Sequence, residues 1–294
     1  MTQQPSPFDE LGGLPQRLIE RIASAQELDQ VTGPLAKLVG RATAPAAVKN
    51  ALSGNWLGHQ LHPLLTDVTI GAWTSVPVID LVGGSGGADA ARLLTGFGIL
   101  SAVPTAASGL SDWSETYGPE MRVGLIHAAG NVVGLALQIA SYLARRRGRR
   151  VRGAALSLAG LGVAGGAGYL GGHLVYALGV GVNHAAFEHR PSDWTDVAGA
   201  GALEESRPLR VEAADIPVVV VKDGDRLYAL SATCVHAGGP LDEGELVDGC
   251  LKCPWHASTF RLEDGRAVRG PATVDQPVWE ARIHDGRLEV RAGR

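Results

Sequence analysis

Two short stretches of the chain place a cysteine close to a histidine. Cys234 and His236 occur in "CVH", Cys253 and His256 occur in "CPWH", and sixteen residues separate His236 from Cys253. Thiolate sulfur and imidazole nitrogen are both metal ligands, and three cysteines in 294 residues are too few for a disulfide framework. The pattern therefore predicts a metal-binding site formed by two loops, each of which supplies one cysteine and one histidine.

Strand-like runs surround these two motifs. From residue 207 onward, β-branched or alternating runs such as "VVVV" and "RLEVR" are separated by Asp-Gly pairs. Asp-Gly between such runs is a strong signal for a tight hairpin turn. The sequence thus predicts a small antiparallel β domain over residues 207–294, with turns at Asp223-Gly224, Asp248-Gly249, Asp264-Gly265 and Asp285-Gly286.

Two kinds of metal centre suit two cysteines and two histidines. A zinc ion would take all four residues in a tetrahedron. A mixed-ligand [2Fe-2S] cluster would instead place both thiolates on one iron and both imidazoles on the other. The residue types and their spacing leave both centres open.

The motifs C-x-H and C-x-x-H, a gap of sixteen residues and the β setting together resemble the Rieske [2Fe-2S] ferredoxin-type family over about residues 207–291. The stretches "HAGGPL" and "GPA" are similar to the loops that shield the cluster in that family. The resemblance implies an iron–sulfur electron-transfer domain. It also implies that Cys234 and Cys253 bind the inner iron and that His236 and His256 bind the outer iron.

Four further residues are expected beside the cluster from the same resemblance, namely Trp255, Ser258, Phe260 and Pro271. Ser258 matches a serine whose hydroxyl donates to a bridging sulfide, whereas Phe260 stands where high-potential relatives have a tyrosine. Trp255 and Gly239 stand where relatives of cytochrome bc complexes have a disulfide. Since one of two potential-raising donors remains, the resemblance implies a low to intermediate reduction potential.

Four long apolar segments precede the β region. Each is about the 20 residues that a helix needs to cross a bilayer, and the last three contain no Asp, Glu, Lys or Arg. Residues 54–184, from "GHQLHPLL" to "GGHLVYALGVGV", resemble an uncharacterised family of four-span bacterial membrane proteins. The sequence predicts a four-helix transmembrane bundle built from the segments Leu61–Val82, Leu93–Leu110, Val123–Ala144 and Ala154–Val182.

Glycines spaced four residues apart occur in the last two segments. The pairs are Gly130 and Gly134, Gly162 and Gly166, and Gly168 and Gly172. Small residues at this spacing let helix backbones approach closely in lipid, so we expect the spans to pack at these positions.

Ionisable side chains also occur in the apolar segments, where they are costly and therefore indicate function. His62, His127, His173 and Asp67 are the candidates for a membrane site. One hypothesis is a b-type haem held by two histidines, and the other is a quinone pocket; hydrogen-bonded bundle residues are the alternative to both. His173 and His184 would share a face if the fourth helix continued that far.

The short loops predict an orientation in the membrane. The run "RRRGRRVR" at 145–152 joins the third and fourth spans, and the positive-inside rule places such a loop in the cytoplasm. Both termini and the β domain would then lie outside. Because metal clusters are normally loaded in the cytoplasm and the first twenty residues contain no signal-peptide pattern, the opposite orientation stays open.

The remaining segments show no chemistry. Residues 1–53 carry apolar side chains at helical spacing and predict amphipathic helices, and the small, polar run 185–206 predicts a linker. The formal net charge of −4 and the lack of a basic face argue against nucleic-acid binding.

These patterns predict a membrane-anchored Rieske electron-transfer protein, a one-electron carrier between a membrane donor (quinol or haem) and a redox partner protein. The alternatives are a subunit of a quinol oxidoreductase complex and a membrane redox sensor. Contact with membrane lipid is expected, as is assembly into an oligomer or larger complex. No residue is assigned a catalytic role, and an oxidoreductase component fits better than a self-contained enzyme, because Rieske oxygenases need a further domain with a mononuclear iron site.

Overall fold

A computed structural model describes residues 7–84 and 86–293, without the side chains of residues 7–14. The chain forms two compact units. The first comprises the described residues up to Ala42 together with His62–Val180, and the second comprises Thr43–Leu61 together with the described residues from Gly181 onward. The second unit therefore draws on two distant parts of the sequence.

In the described part of the chain, seven α-helices lie before residue 177. Four of them are long and apolar enough to cross a membrane, which confirms the four predicted segments. The helices are α1 (Pro7–Ser24), α2 (Asp29–Thr43), α3 (Ala46–Ser53), α4 (Leu61–Val82), α5 (Gly87–Trp113), α6 (Gly118–Arg146) and α7 (Arg150–Tyr176). The four apolar helices are α4 to α7.

The fourth apolar helix ends earlier than the sequence predicts. It stops at Tyr176, and both Gly179 and Gly181 adopt positive φ angles of 73° and 78°, which a continuing right-handed helix does not allow. His173 and His184 therefore do not share a helical face, and that expectation is wrong.

Close packing between α6 and α7 depends on a subset of the glycines. A Cβ on Gly130 would lie 3.0 Å from the Cβ of Ala167, and one on Gly134 would lie 3.2 Å from the carbonyl oxygen of Gly160. A Cβ on Gly162, Gly166 or Gly168 would meet no atom within 4 Å, so these three glycines do not pack closely against a neighbouring helix, in contrast to the prediction. The α7 residues that face α6 are Gly160, Ala164 and Ala167, and Gly162 and Gly166, each two residues further along than Gly160 and Ala164, lie on another face of the helix.

Helices α1 and α2 belong to the first unit, and an arginine of α6 bonds to residues of both. Arg122 donates from Nε and Nη2 to the carboxylate of Asp29 at 2.7 and 2.6 Å, and from Nη1 to the carbonyl of Ala23. The predicted amphipathic helices of residues 1–53 thus lie partly against the apolar helices, apart from residues 1–6, which are outside the described part. Helix α3 is in the other unit.

The second unit contains two antiparallel sheets. The larger sheet has the order β1-β10-β9-β4-β3-β2, and the smaller has the order β5-β6-β7-β8. The strands are β1 (Thr195–Gly199), β2 (Leu209–Ala213), β3 (Ile216–Asp223), β4 (Arg226–Ser231), β5 (Glu245–Val247), β6 (Cys250–Lys252), β7 (Thr259–Arg261), β8 (Ala267–Arg269), β9 (Val278–His284) and β10 (Arg287–Ala292). This arrangement confirms the predicted antiparallel β domain.

The Asp-Gly pairs lie where hairpins turn. Asp248 and Gly249 join β5 to β6 with φ angles of 49° and 72°, and Asp285 and Gly286 join β9 to β10 with 49° and 75°. Two consecutive positive φ angles match the turn that fits the twist of paired strands. The register of these hairpins therefore follows directly from the local sequence.

Strand β3 has apolar cores on both of its faces. Val218 and Val220 belong to a core with Trp279 and Leu288, whereas Val219 and Val221 belong to a second core that also contains Cys234, Cys253 and Phe260. Successive side chains of a strand point to opposite faces, which is why a run of four valines fits here. The second core therefore includes one cysteine of each motif.

Residues 185–206, predicted to be a linker, are partly folded into this unit. Strand β1 pairs antiparallel with β10, with Thr195 opposite Val290, and the guanidinium groups of Arg282 and Arg291 lie 4.1 and 4.5 Å from the ring centroid of Trp194. The linker expectation is wrong for this part, because pairing with a strand about 90 residues later leaves no local signature.

Candidate metal centre

The two cysteine motifs form loops with the same backbone hydrogen bonds. The amide of Cys234 donates to the carbonyl of Gly239 at 2.8 Å, and the amide of Gly238 donates back to Cys234 at 2.8 Å. In the second loop, the amide of Cys253 donates to Ser258 at 2.8 Å and that of Ala257 donates back to Cys253 at 3.1 Å. Each loop thus closes five residues after its cysteine.

Each loop also makes its turn at the same position, four residues after the cysteine. Gly238 has a φ angle of 74° and Ala257 one of 58°. Without the left-handed residue the chain could not reverse within so few residues. The reversal places the cysteine of each loop at its base, with the histidine two or three positions further along.

The four predicted ligands come together in like pairs. Cys234 and Cys253 are buried, and the Cys234 thiol donates to Cys253, which raises the pKa of Cys234 and lowers that of Cys253 to about 7. The rings of His236 and His256 lie edge to face with their centroids 4.9 Å apart. Sulfur thus lies beside sulfur, and imidazole beside imidazole.

The histidine pair lies in a setting that favours neutral rings. Burial, together with the positive charges that His256, His184 and Lys49 can carry, lowers the pKa of His236 to about 3. Neutral imidazole is the form that binds a metal. The environment of His236 therefore suits a ligand rather than an imidazolium.

This arrangement fits a mixed-ligand [2Fe-2S] cluster. Such a cluster takes two thiolates on one iron and two imidazoles on the other. The two thiols lie side by side and the two imidazoles lie side by side, which matches that division of ligands. A Cβ on Gly239 would lie only 2.9 Å from the sulfur of Cys253, so a side chain at this position would crowd the cysteine pair as it is arranged in this chain.

The residues expected beside the cluster lie around these loops. The hydroxyl of Ser258 is fully buried and accepts the amide proton of Ala272 at 3.0 Å, which leaves its own proton for another acceptor. Phe260 is fully buried in the core with the two cysteines, and Pro271 lies in the loop that holds Ala272. Trp255 is half exposed, and its ring lies edge to face with His256 at 6.4 Å.

Gly239 and Trp255 lie next to each other in space. A Cβ on Gly239 would lie 3.1 Å from the nearest ring carbon of Trp255. An indole ring thus covers the position at which, by the resemblance, cytochrome bc relatives link the two loops covalently.

Gln276 positions the first loop, and sequence analysis missed it. Its side chain is buried, accepts the amide of Val235 at 3.1 Å, and donates to the carbonyls of Ser231 and Thr233 at 2.8 and 2.7 Å. A buried amide that satisfies three backbone groups rigidifies the loop before His236. A lone glutamine gives no motif by which it could have been found.

Residues of the segment 43–61 bind the backbone of residues 267–272, on both sides of Gly270. Asn50 donates to the carbonyl of Val268 at 3.1 Å and accepts the amide of Gly270 at 2.8 Å. Asn55 donates to the carbonyls of Ala267 and Ala272 at 2.8 and 3.1 Å. These contacts span more than 210 residues of sequence, so no local pattern predicts them.

Arg269 connects the same segment to the second ligand loop. Its guanidinium donates to the carbonyl of Ala257 at 2.8 Å and, from Nη2, to that of Ala44 at 3.3 Å. It also donates to the carbonyl of Gly270 at 2.9 Å. The backbone next to His256 is therefore fixed by a side chain that also contacts the N-terminal segment.

A separate pair of histidines meets inside the first unit. The rings of His62 on α4 and His127 on α6 lie 6.4 Å apart, edge to face. Each donates from Nδ1 to a helix carbonyl, His62 to Thr105 at 3.0 Å and His127 to Ala167 at 2.7 Å. Each neutral ring therefore has its lone pair on Nε2.

Two glycines make room for these rings, and the side-chain amide of Asn131 bonds to one of them. A Cβ on Gly109 would lie 2.6 Å from the His62 ring, and one on Gly171 would lie 2.9 Å from the His127 ring. Asn131 donates to Nε2 of His127 at 3.2 Å. The pair is thus an organised polar site within the apolar helices.

The other two residues of the predicted membrane site do not join this pair. Asp67 is exposed on α4, and His173 is partly buried near the end of α7. In the described part of the chain, neither makes a hydrogen bond or ring contact with His62 or His127. Of the four candidates, His62 and His127 are therefore the two that meet, and Asp67 lies on the face of α4 opposite its buried residues.

Comparison with known proteins identifies both halves. Residues 193–280 match the family described as Rieske [2Fe-2S] domain, and residues 58–184 match DUF2231, described as a predicted membrane protein. The anthranilate 1,2-dioxygenase ferredoxin subunit of Burkholderia cepacia is 31% identical over 102 residues, which are 35% of this chain and 94% of that protein. Ferredoxin CarAc of Metapseudomonas resinovorans is 33% identical over 100 residues, 33% of this chain and 92% of that protein.

Among solved structures, the ferredoxin of carbazole 1,9a-dioxygenase from Nocardioides aromaticivorans IC177 matches with 26% identity and a TM-score of 0.33. The match covers 35% of this chain and all of that one. The paired cysteines and histidines, the antiparallel scaffold and the curated relatives agree with one another. Through its C-terminal domain, which follows a DUF2231 domain, the chain belongs to the Rieske [2Fe-2S] family of electron-transfer proteins.

Proposed function

We propose that the protein is a membrane-anchored one-electron carrier whose cluster is held by Cys234 and Cys253 on one iron and by His236 and His256 on the other. The observation that carries this proposal is the pairing of like ligands on two matching loops. The cluster supplies one-electron transfer when bound. The chain's own residues orient the four ligands, bury the thiols and keep His236 neutral.

The four apolar helices support the anchoring part of this proposal. Each is long enough to cross a bilayer, and the DUF2231 match is to predicted membrane proteins. A carrier fixed to a membrane can meet a donor in the lipid and pass its electron to a partner protein. Relatives named as dioxygenase ferredoxin subunits support an oxidoreductase as that partner.

The ligand assignment is tested by single substitutions in the full chain, purified in mild detergent. Cys253→Ser and His256→Leu should lose the cluster, seen as loss of the rhombic EPR signal of the reduced protein and of iron and acid-labile sulfide. Cys250→Ser is the matched control, because Cys250 lies half-buried on β6 and its thiol donates to the carbonyl of Asp248. Full signal in Cys253→Ser, or its loss in Cys250→Ser, would contradict the assignment.

The donor site is proposed to be the pair His62 and His127. In both rings Nδ1 bonds to a helix carbonyl, which is the arrangement that orients a histidine toward a ligand through Nε2. Nε2 of His127 accepts a hydrogen bond from Asn131, which a ligand on that ring would displace. A b-type haem or the head group of a quinol would be held there. A purified sample distinguishes them, because haem gives a Soret band and quinol reduces the cluster without one.

The orientation of the anchor is also part of the proposal. Arginines concentrate between α6 and α7, which favours a cytoplasmic position for that loop. With four spans, the Rieske domain and both termini would then lie outside the cytoplasm.

A further inference from the structure

The turn between α6 and α7 is the most basic part of the chain, with six arginines in residues 145–152. Helix α6 ends at Arg146 and α7 begins at Arg150, so three residues join them. Three residues span at most about 10 Å, and both helices are long and apolar enough to cross a bilayer. The guanidinium groups of this turn therefore lie within reach of lipid head groups.

Two of the arginines hold the turn against the end of α4. Arg145 is buried and donates from Nη1 and Nη2 to the two carboxylate oxygens of Asp80 at 2.9 and 2.5 Å. Arg150 donates to the carbonyl of Gly84 at 2.6 Å and to that of Asp80 at 3.2 Å. Gly148, with a φ angle of 72°, reverses the chain between them. The turn is therefore already ordered before a ligand binds, which lowers the entropic cost of binding.

The other four arginines of the turn are exposed and carry uncompensated charge. Among residues 7–84 and 86–293, the ion pairs at this end of the bundle join Asp80 to Arg145 and Arg150, and Asp89 to Arg92. These pairs leave four positive charges at the ends of two adjacent spans. The four exposed residues are Arg146, Arg147, Arg149 and Arg152.

Exposed apolar side chains lie among these charges. Val151, in the first turn of α7, is 85% exposed, and Leu143, near the end of α6, is 44% exposed. Apolar and guanidinium groups side by side suit a ligand that has both an anionic head and an apolar tail. A water-soluble anion would leave Val151 without a partner.

We propose that the turn between α6 and α7 binds the head groups of anionic phospholipids through Arg146, Arg147, Arg149 and Arg152, with Val151 against their acyl chains. Guanidinium groups bind phosphate oxygens through paired hydrogen bonds, and basic residues next to a span attract anionic lipid. The inference rests on the anchoring part of the proposed function. It differs from the orientation of the spans, because it concerns the affinity of the inserted protein for one class of lipid.

The test measures the dissociation constant of the first phosphatidylglycerol that binds to the full chain in a neutral detergent, by native mass spectrometry. Wild type should bind this lipid more tightly than phosphatidylcholine with the same acyl chains. Arg147→Gln and Arg149→Gln should each weaken its binding about fivefold, the effect of one basic residue near an anionic lipid surface. Arg147→Lys should retain most of the affinity, since it keeps the charge. Arg226→Gln removes an exposed arginine on β4 and should bind as wild type does.

Three outcomes would overturn the inference. The first is equal affinity of wild type for the two lipids. The second is an equal loss in Arg147→Gln and Arg226→Gln, which would show an effect of net charge alone. The third is displacement of phosphatidylglycerol by an equal concentration of glycerol phosphate, which would show that the turn recognises a free anion.

A different result would refute the proposed function instead. The substituted side chains are exposed, so these variants are expected to fold as wild type does. Recovery of the wild-type chain in the soluble fraction of the cell, and not with the membranes, would refute the anchoring on which the inference rests.

Discussion

At the scale of single residues, the hydrogen bonds offered to the cluster decide its reduction potential. Ser258 keeps a hydroxyl proton available, because its oxygen accepts from Ala272. Phe260 offers none, although it lies in the same buried cluster as Cys234 and Cys253. Hydrogen bonds to cluster sulfurs stabilise the more negative, reduced state.

Ser258→Ala is therefore expected to lower the midpoint potential, and Phe260→Tyr to raise it. The serine variant loses a donor, whereas the tyrosine variant adds one at the position where high-potential relatives have it. Redox titration monitored by EPR measures both. The prediction would be wrong if Phe260→Tyr left the midpoint unchanged while retaining full cluster content.

Gly239 lies where an added side chain would crowd a predicted cluster ligand. A methyl group there would lie 2.9 Å from the sulfur of Cys253 and 3.1 Å from the ring of Trp255, closer than normal contacts. Gly239→Ala should therefore reduce iron content per chain, or make the cluster labile on warming. Gly201→Ala is the matched control, because a Cβ at Gly201 meets nothing within 4 Å. Equal iron content in the two variants would contradict the prediction.

At the scale of elements, the segment that leads into β1 is part of the folded β domain. Glu188, seven residues before β1, accepts a hydrogen bond from the hydroxyl of Ser231 at 2.5 Å, and that hydroxyl also accepts from the indole of Trp279 at 2.9 Å. Burial raises the pKa of Glu188, more than the bond from Ser231 lowers it. A carboxyl group thus ties this segment to the centre of the larger sheet.

The raised pKa of Glu188 gives the β domain a pH dependence of known sign. Because the folded state binds the proton more tightly than the unfolded state, this group contributes stability below its usual pKa near 4.5, and the contribution is lost as pH rises through the folded pKa. Glu188→Gln should remove that dependence.

The measurement is the temperature at which the visible circular dichroism of the cluster is lost, compared between pH 5 and pH 7.5. Wild type should lose more stability over this interval than Glu188→Gln. A parallel decline in the two proteins would show that another group is responsible.

Helix α3 is likewise a segment outside the β strands that is folded into the unit with the metal centre. It is only eight residues long, too short to be stable alone, and it is held by the asparagines that bond to residues 267–272. Its place in the second unit depends on those contacts rather than on its own propensity. A pattern search over the β region alone would omit it.

At the scale of the whole molecule, the arginines between α6 and α7 predict the orientation. Arg145 is buried in a bidentate ion pair with Asp80, and Arg150 bonds to the carbonyl of Gly84, so two of these arginines also join helix ends. The predicted orientation therefore rests on the other arginines of this loop.

A reporter fused after residue 293 is therefore expected to behave as external. Alkaline phosphatase should be active there and green fluorescent protein dark, whereas the same reporters inserted at Gly148 should give the reverse. External behaviour at Gly148 would place the Rieske domain in the cytoplasm, where clusters are normally assembled.

Much of this architecture could be predicted because its signals are local. The ligand motifs, the Asp-Gly turns and the charge-free apolar segments each depend on residues within one loop or one helix. The ligand types also limited the chemistry to two metal centres, and the resemblance of the surrounding loops chose between them. The edge strand β1, the supporting amide of Gln276 and the early end of α7 were not predicted, since each depends on partners or backbone angles that the neighbouring residues do not specify.

The sequence by itself determined which residues can bind the cluster and which segments can enter a membrane, because both follow from side-chain chemistry and short-range spacing. Only the tertiary structure decided that His62 meets His127 while Asp67 faces outward, and that Asn50 holds Gly270, 220 residues away. Contacts of that range are made by packing, which depends on the shapes of surfaces that exist only after the chain has folded.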